Sequence, residues 1–324
     1  DGGTTWEQGS ALGGEEVREM LAGNRDRGSR DLSTGISDET CEHNDLTRRL
    51  CAWRAEFRSY PAGGPGIVEP SDRSHFRFRR PVLRADNPHL DQTYTYGSTM
   101  GGNFQQHQGV EFNVPEGTPI HAIGDGEVAF AGEAEAGALT VVIRHDEPIE
   151  GQTVWSTYFH NSELLVETGQ RVGERDPIAR AGNTGRATND HLHLEIHTTP
   201  ADADPSVVVS PEERYPPYTR NPQLWIDPLP GTGVIAGRVF DGSGNPVPGA
   251  RVYGVTKPEP TETPFSFAET YEDRANPDPV FGEHFAIGDV PAGVYVLGVQ
   301  VDGAKIWRTV RVAEGKVTEV DFRP

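Results

Sequence analysis

The stretch His191-Leu192-His193-Leu194-Glu195-Ile196-His197 alternates polar and apolar residues without a break. Residues two apart share one face of a β-strand, so Leu192, Leu194 and Ile196 turn into a core while His191, His193, Glu195 and His197 share the other face. Two imidazoles about 7 Å apart on one sheet face can serve a single metal centre, both as ligands or as one ligand and one proton carrier. The surrounding chain has the same texture. Val110, Phe112 and Val114 alternate with Glu111 and Asn113, and Glu127-Val128-Ala129-Phe130 and Leu139-Thr140-Val141-Val142-Ile143 read as further strands. Glycines from Gly117 to Gly185 punctuate them as turns, the pattern of an antiparallel all-β domain with many hairpins.

Two more fragments of the same region carry chemistry. In His107-Gln108-Gly109-Val110-Glu111 the carboxylate lies on the face opposite Val110 and Phe112. In Tyr158-Phe159-His160 the histidine ends an apparent strand and alternates away from Phe159. Neither is a helical His-Glu-x-x-His arrangement, so a metal site here has to be built on strands. His145, before Asp146 at a strand end, reads as structural, and His121 is assigned no chemistry. Glu195 reads either as support for His193 or as an exposed edge carboxylate.

These fragments occur in order with Tyr96-Gly97-Ser98-Thr99, Gly117-Thr118-Pro119, Gly126-Glu127-Val128 and Gly182-Asn183-Thr184-Gly185. Together they resemble the lysostaphin/LytM-type zinc metallopeptidases over about residues 76–200. That family has the duplicated-hybrid-motif β fold and cuts peptides of bacterial peptidoglycan. The resemblance implies Zn2+ held by His107, Glu111 and His193, with His160 and His191 as two non-ligand histidines that exchange protons with the attacking water and the leaving amine. It adds Tyr158 as a further donor to the oxyanion. Three protein ligands leave a position open for water, whose pKa zinc lowers from about 15.7 to about 7. Glu111 stands where the family has Asp. Its extra methylene moves the carboxylate by roughly 1 Å unless the strand shifts, and such a misplacement can cost about two orders of magnitude in rate. A rival reading is therefore a catalytically weakened or inactive LytM-like domain that binds cell wall or regulates. A second rival is an extracellular structural assembly subunit.

The 324 residues suit about two domains beyond any short arm. Gly (38) and Pro (26) together form about a fifth of the chain, too many for a helical bundle and too few for low-complexity disorder. A net charge of −20 repels a phosphate backbone and argues against nucleic acid as a partner. No apolar run approaches the roughly 18 residues that span a bilayer. The chain starts at Asp1 without Met or an apolar leader, as a processed chain does, so a secreted or extracytoplasmic bacterial location is the expectation.

Residues 1–75 read as a polar arm and a short helix in which Leu46, Leu50, Trp53 and Phe57 share one face. The arm is a candidate for engaging a second copy of the chain. A straight helix from Cys41 to Cys51 would hold the two thiols about 15 Å apart, whereas a chain that folds back before Asn44 closes a disulfide; two free thiols are the alternative. Residues 201–231 read as a connection packed on the β domain, with Trp225 as its anchor. Residues 232–324 read as a β-sandwich, with Gly237-Arg238-Val239 and Asn245-Pro246-Val247-Pro248-Gly249-Ala250 resembling the carboxypeptidase-regulatory-like or transthyretin-like domains. The resemblance makes this domain a binding or stabilising module. Its acidic, Pro-rich stretch at about 257–283 reads as solvated.

Overall fold

The computed structural model describes residues 66–100, 102–210, 216–255 and 267–324. The predicted arm, its amphipathic helix and the Cys41–Cys51 pairing lie outside the described residues, as does the start of the acidic stretch. Ile67 to Pro324 form one compact unit. No helix among the described residues is long and apolar enough to cross a membrane.

Among the described residues, the first part of this unit holds ten strands. They are β1 (Val110–Phe112), β2 (Pro119–His121), β3 (Gly126–Glu133), β4 (Leu139–His145), β5 (Thr153–Asn161), β6 (Glu163–Leu164), β7 (Arg171–Val172), β8 (Pro177–Arg180), β9 (Leu192–Thr199) and β10 (Thr219–Arg220). Seven form one antiparallel sheet in the order β1-β9-β5-β4-β3-β7, with β10 also pairing with β9. A small second sheet, β2-β8-β6, lies apart. Within β9, Leu192, Leu194 and Ile196 are fully buried with Val110, Phe112, Ile143 and Tyr158, as their period-two spacing requires. The other face of the strand is not solvated. Trp155 of β5 packs there with Val208 and Val209, so the connection after β9 covers it. Glu195 (5% exposed) and His197 (0%) are therefore buried polar groups, which excludes an exposed edge carboxylate at Glu195.

The second part is a sandwich of β11 (Thr232–Val239), β12 (Arg251–Tyr253), β13 (Phe267–Glu269), β14 (Phe285–Pro291), β15 (Gly293–Val301), β16 (Ala304–Val312) and β17 (Val317–Phe322). A three-stranded sheet, β14-β11-β17, faces a four-stranded one, β13-β12-β15-β16. The pair β11–β17 is parallel, with Ile235 opposite Thr318 and Val239 opposite Phe322. Ile235, Val252, Phe285, Leu297, Val310 and Phe322 fill the space between the sheets. Residues 67–75 belong with this sandwich and not with the arm, since Val68 bridges Val310 and Ser71 bridges Val317.

The two parts share a core. Leu224, Trp225 and Ile226 of the connection are fully buried, and Val234, Ala286, Phe281 and Val317 of the sandwich join the same apolar cluster as Phe112 and Leu194. Residues 267–284 run along this seam, and although Glu272 and Asp273 are exposed as the solvated reading expects, the other acids are not. Glu269, Tyr271, Asp278, Phe281 and Glu283 are all buried. Their acidic groups are stable there because hydroxyls and backbone amides meet them: Tyr271 donates to Glu283 Oε1 at 2.9 Å, and the Asp278 amide donates to Oε2 at 2.9 Å.

Candidate metal centre and active site

The β1–β9 ladder places Glu111 directly across from His193, so one carboxylate and one imidazole meet by register alone. His107 comes from the loop before β1. Gly109 lets that loop lie flat on β9, since a Cβ there would sit 2.4 Å from the Leu194 carbonyl oxygen and 2.7 Å from His193 Nε2. His107 Nε2 ends 3.1 Å from His193 Nδ1 and 3.5 Å from Glu111 Oε1. One ligand atom from each of the three residues lies within 4.8 Å of the others. The register of β1 thus lets the longer Glu111 side chain bring its oxygen to the two imidazoles.

The neighbours determine which nitrogen faces inward. His193 Nε2 lies 3.1 Å from Glu195 Oε1, and Glu195 Oε2 lies 3.0 Å from His197 Nε2. Burial pushes the Glu195 carboxyl up, but the hydrogen bonds from His193 and His197 outweigh it and hold it at about 2. An ionised carboxylate only accepts, so His193 donates from Nε2 and its Nδ1 lone pair faces His107 and Glu111. Burial also opposes ionisation of Glu111, and the imidazoles of His107, His191 and His193 overcome it to hold that carboxyl at about 2. Tyr94 stacks on His107 with ring centroids 4.0 Å apart and planes 12° from parallel.

His160 and His191 stand beside this trio. His160 Nδ1 is 2.8 Å from the Thr184 carbonyl and His191 Nδ1 is 2.8 Å from the Asn189 carbonyl. A carbonyl only accepts, so each ring carries its proton on Nδ1 and leaves Nε2 free as a base. The His191 Nε2 lies 3.7 Å from Glu111 Oε1, and the two rings are 4.8 Å apart between centroids. Burial, with the neighbouring His193 and His191, pushes His160 down to about 3.

A cavity of about 410 Å³ opens over these groups, lined also by Tyr94, Phe104, Phe159, Arg186, Asn189 and Val208. His160 shares this cavity with Phe159, although strict alternation would put the two on opposite faces. Its φ of +66° breaks the alternation and re-aims the ring.

Tyr158 is not at the site. Its hydroxyl accepts from the Ile123 amide and from Ser156 Oγ, both at 3.0 Å, inside the main core. Without a φ reversal it stays on the core face of β5, so the sequence-based role as an oxyanion donor does not hold. His145 is structural: its Nε2 lies 2.8 Å from the same Ser156 Oγ, and burial lowers it to about 4. Tyr94 and Arg186 line the cavity without any spacing signal in the sequence that points to them.

Residues 105–205 match the model of peptidase family M23. Two curated relatives from Vibrio cholerae are peptidoglycan DD-endopeptidases. ShyA is 40% identical over 90 residues, covering 28% of this chain and 20% of its own length. ShyC is 35% identical over 153 residues, covering 47% of this chain and 33% of its own length. The chain thus spans between a fifth and a third of these relatives. The catalytic domain of the antimicrobial peptidase lysostaphin from Staphylococcus simulans is 26% identical, with 40% of this chain and 86% of that chain covered and a TM-score of 0.32. The matched segment contains His107, Glu111, His160, His191 and His193, and residues 105–205 form a peptidase family M23 domain.

Proposed function

We propose that this protein is a zinc metalloendopeptidase that hydrolyses peptide bonds of bacterial peptidoglycan. The observation that carries the reading is the convergence of His107 Nε2, Glu111 Oε1 and His193 Nδ1, with two further histidines whose free Nε2 atoms border the same cavity. Two imidazole nitrogens and one carboxylate oxygen suit Zn2+ and leave a coordination position open. When bound, the metal supplies a Lewis acid and a water of lowered pKa. The remaining chemistry belongs to the chain. Glu195 holds the His193 ring through Nε2 and keeps its Nδ1 unprotonated. One of His160 and His191 takes the proton of the attacking water on Nε2, and a histidine of the pair returns a proton to the leaving amine. The backbone carbonyls of Thr184 and Asn189 hold both rings in the tautomer that this needs.

The names of the curated relatives support a peptidoglycan substrate. A peptidoglycan substrate supports a location outside the cytoplasm, where a Cys41–Cys51 disulfide would persist. Self-association through residues 1–40 is read by light scattering on the chain with and without them. The function itself is tested by digesting purified peptidoglycan with zinc-loaded protein and with His191→Ala. Soluble peptide-bearing fragments are expected from the wild type alone; equal release by both proteins overturns the site assignment, and no release by either overturns it in favour of a non-catalytic cell-wall-binding role.

A further inference from the structure

Of the three proposed ligands, Glu111 and His193 are fixed by the β1–β9 ladder, whereas His107 precedes β1 and has no place in that register. Its backbone pairs instead with a neighbouring loop: the His107 amide donates to the Ser98 carbonyl at 3.0 Å, and the Gly97 amide donates to the His107 carbonyl at 2.8 Å. That loop is held in turn by the sandwich. Glu269, at the end of β13, accepts from the Thr99 amide at 2.6 Å, from Ser98 Oγ at 3.0 Å and from Thr99 Oγ1 at 3.2 Å. The residues either side of His107 reach the same segment. Gln106 Oε1 accepts from the Arg274 amide at 2.9 Å, and Gln108 Nε2 donates to the Arg274 carbonyl at 2.6 Å. Tyr271 closes the contact by lying against Gly97, whose φ is +79° and where a Cβ would meet the ring at 2.4 Å.

We infer that the sandwich is a working part of the metal centre: its segment 267–284 positions His107, with Glu269 and the Arg274 backbone as the positioning contacts. Every donor and acceptor just described sits on residues no more than 9% exposed or on the Arg274 backbone, so water does not replace a lost partner without cost. A ligand placed by a loop is only as well placed as the contacts that hold the loop. The acidic insertion of the second domain thereby supplies what β pairing does not.

The inference rests on the proposed zinc site, and its test separates the two. Zinc affinity of the full chain is measured by competition with a chromogenic chelator, alongside the melting temperature of the metal-free protein, for the wild type, Glu269→Ala, Glu269→Gln, Gln106→Ala and Arg80→Ala. Removing groups that orient a metal ligand typically costs about 10–100-fold in affinity. Glu269→Ala and Gln106→Ala are expected to bind zinc at least about tenfold more weakly. Glu269→Gln, which keeps an acceptor oxygen for Thr99, is expected within about threefold of the wild type. Arg80→Ala cuts the Arg80–Asp289 ion pair elsewhere in the seam and is expected to lower the melting temperature with zinc affinity unchanged. If Glu269→Ala does not fold, Gln106→Ala decides. Wild-type affinity in the alanine variants, or an equal loss in Arg80→Ala, overturns the inference alone. A wild type that binds no zinc overturns it together with the proposed function.

Discussion

Two regions of the molecule bury a glutamate almost completely and leave it in opposite states. Glu195, beneath the metal-directed histidines, is 5% exposed and held at about 2. Glu283, in the seam between the domains, is 1% exposed and pushed up to about 8, first by burial and then by the carboxylate of Asp278. Burial opposes ionisation in both. The difference lies in the partners, because Glu195 accepts from the His193 imidazole and has His197 Nε2 3.0 Å from its other oxygen, whereas Glu283 meets a phenol, an amide and another acid. The first region retains a charge that orients a metal ligand. The second is pushed toward its protonated form by burial and by Asp278, in the seam where the sandwich meets the first part of the unit.

The largest test of this contrast removes an imidazole. His193→Ala deletes a proposed ligand and leaves Glu195 with His197 alone. It is expected to abolish zinc binding, lower turnover more than about a thousandfold and cost roughly 3 kcal/mol, since a buried carboxylate loses a hydrogen-bond donor that nothing replaces. Metal content and urea unfolding of the purified variant read both effects. Unchanged unfolding would mean that Glu195 does not depend on its imidazoles.

The seam makes a prediction of opposite sign. The folded-state pKa of Glu283 lies above its ordinary 4.5, so below pH 4.5 both folded and unfolded chains hold the proton and nothing is lost. Between pH 4.5 and about 8 the unfolded chain ionises first, and stability falls as pH rises. Glu283→Gln should flatten that slope, gaining a few kcal/mol over wild type by pH 8, with unfolding free energies at pH 6.5 to 8 as the check. Glu195 behaves in reverse: its stabilising contribution is present above pH 4.5 and lost as pH falls toward 2.

The smallest effect sharpens the same point. His197→Gln keeps an N–H for Glu195 Oε2 but removes the ring, and His197 touches none of the three proposed ligands except through Glu195. A loss of about 1 kcal/mol is expected, with zinc affinity within a few-fold of wild type. A collapse of zinc binding would instead extend the metal centre to His197.

Much of the site was legible because strand periodicity is a local property. The alternation from His191 to His197 placed Leu192, Leu194 and Ile196 in the core, and the three histidine fragments lie together around one cavity. Tyr158 and His160 show where alternation stops being a guide. A single left-handed φ at His160 brings that ring into the cavity, and the absence of one at Tyr158 leaves its hydroxyl in the core. The acidic stretch misled for a different reason. Composition reports the solvation that a free chain would seek, whereas Glu269 finds its hydroxyl and amide partners in the distant Ser98 and Thr99, and Glu283 finds its own within the folded stretch itself, at Tyr271 and Asp278.

The sequence by itself determined the strand pattern, the residue types of the site and their family, because these depend on spacing along the chain. Only the tertiary structure decided the rest. The β1 register brought the Glu111 carboxylate to the imidazoles despite its extra methylene. Carbonyl and carboxylate neighbours selected the free nitrogen of each ring. The second domain, through Glu269 and Arg274, came to lie against the loop that carries His107. The β1 register, the Thr184 contact to His160 and the Glu269 and Arg274 contacts join groups far apart in sequence, which no local pattern encodes, whereas Asn189 and Glu195 act on histidines only two residues away.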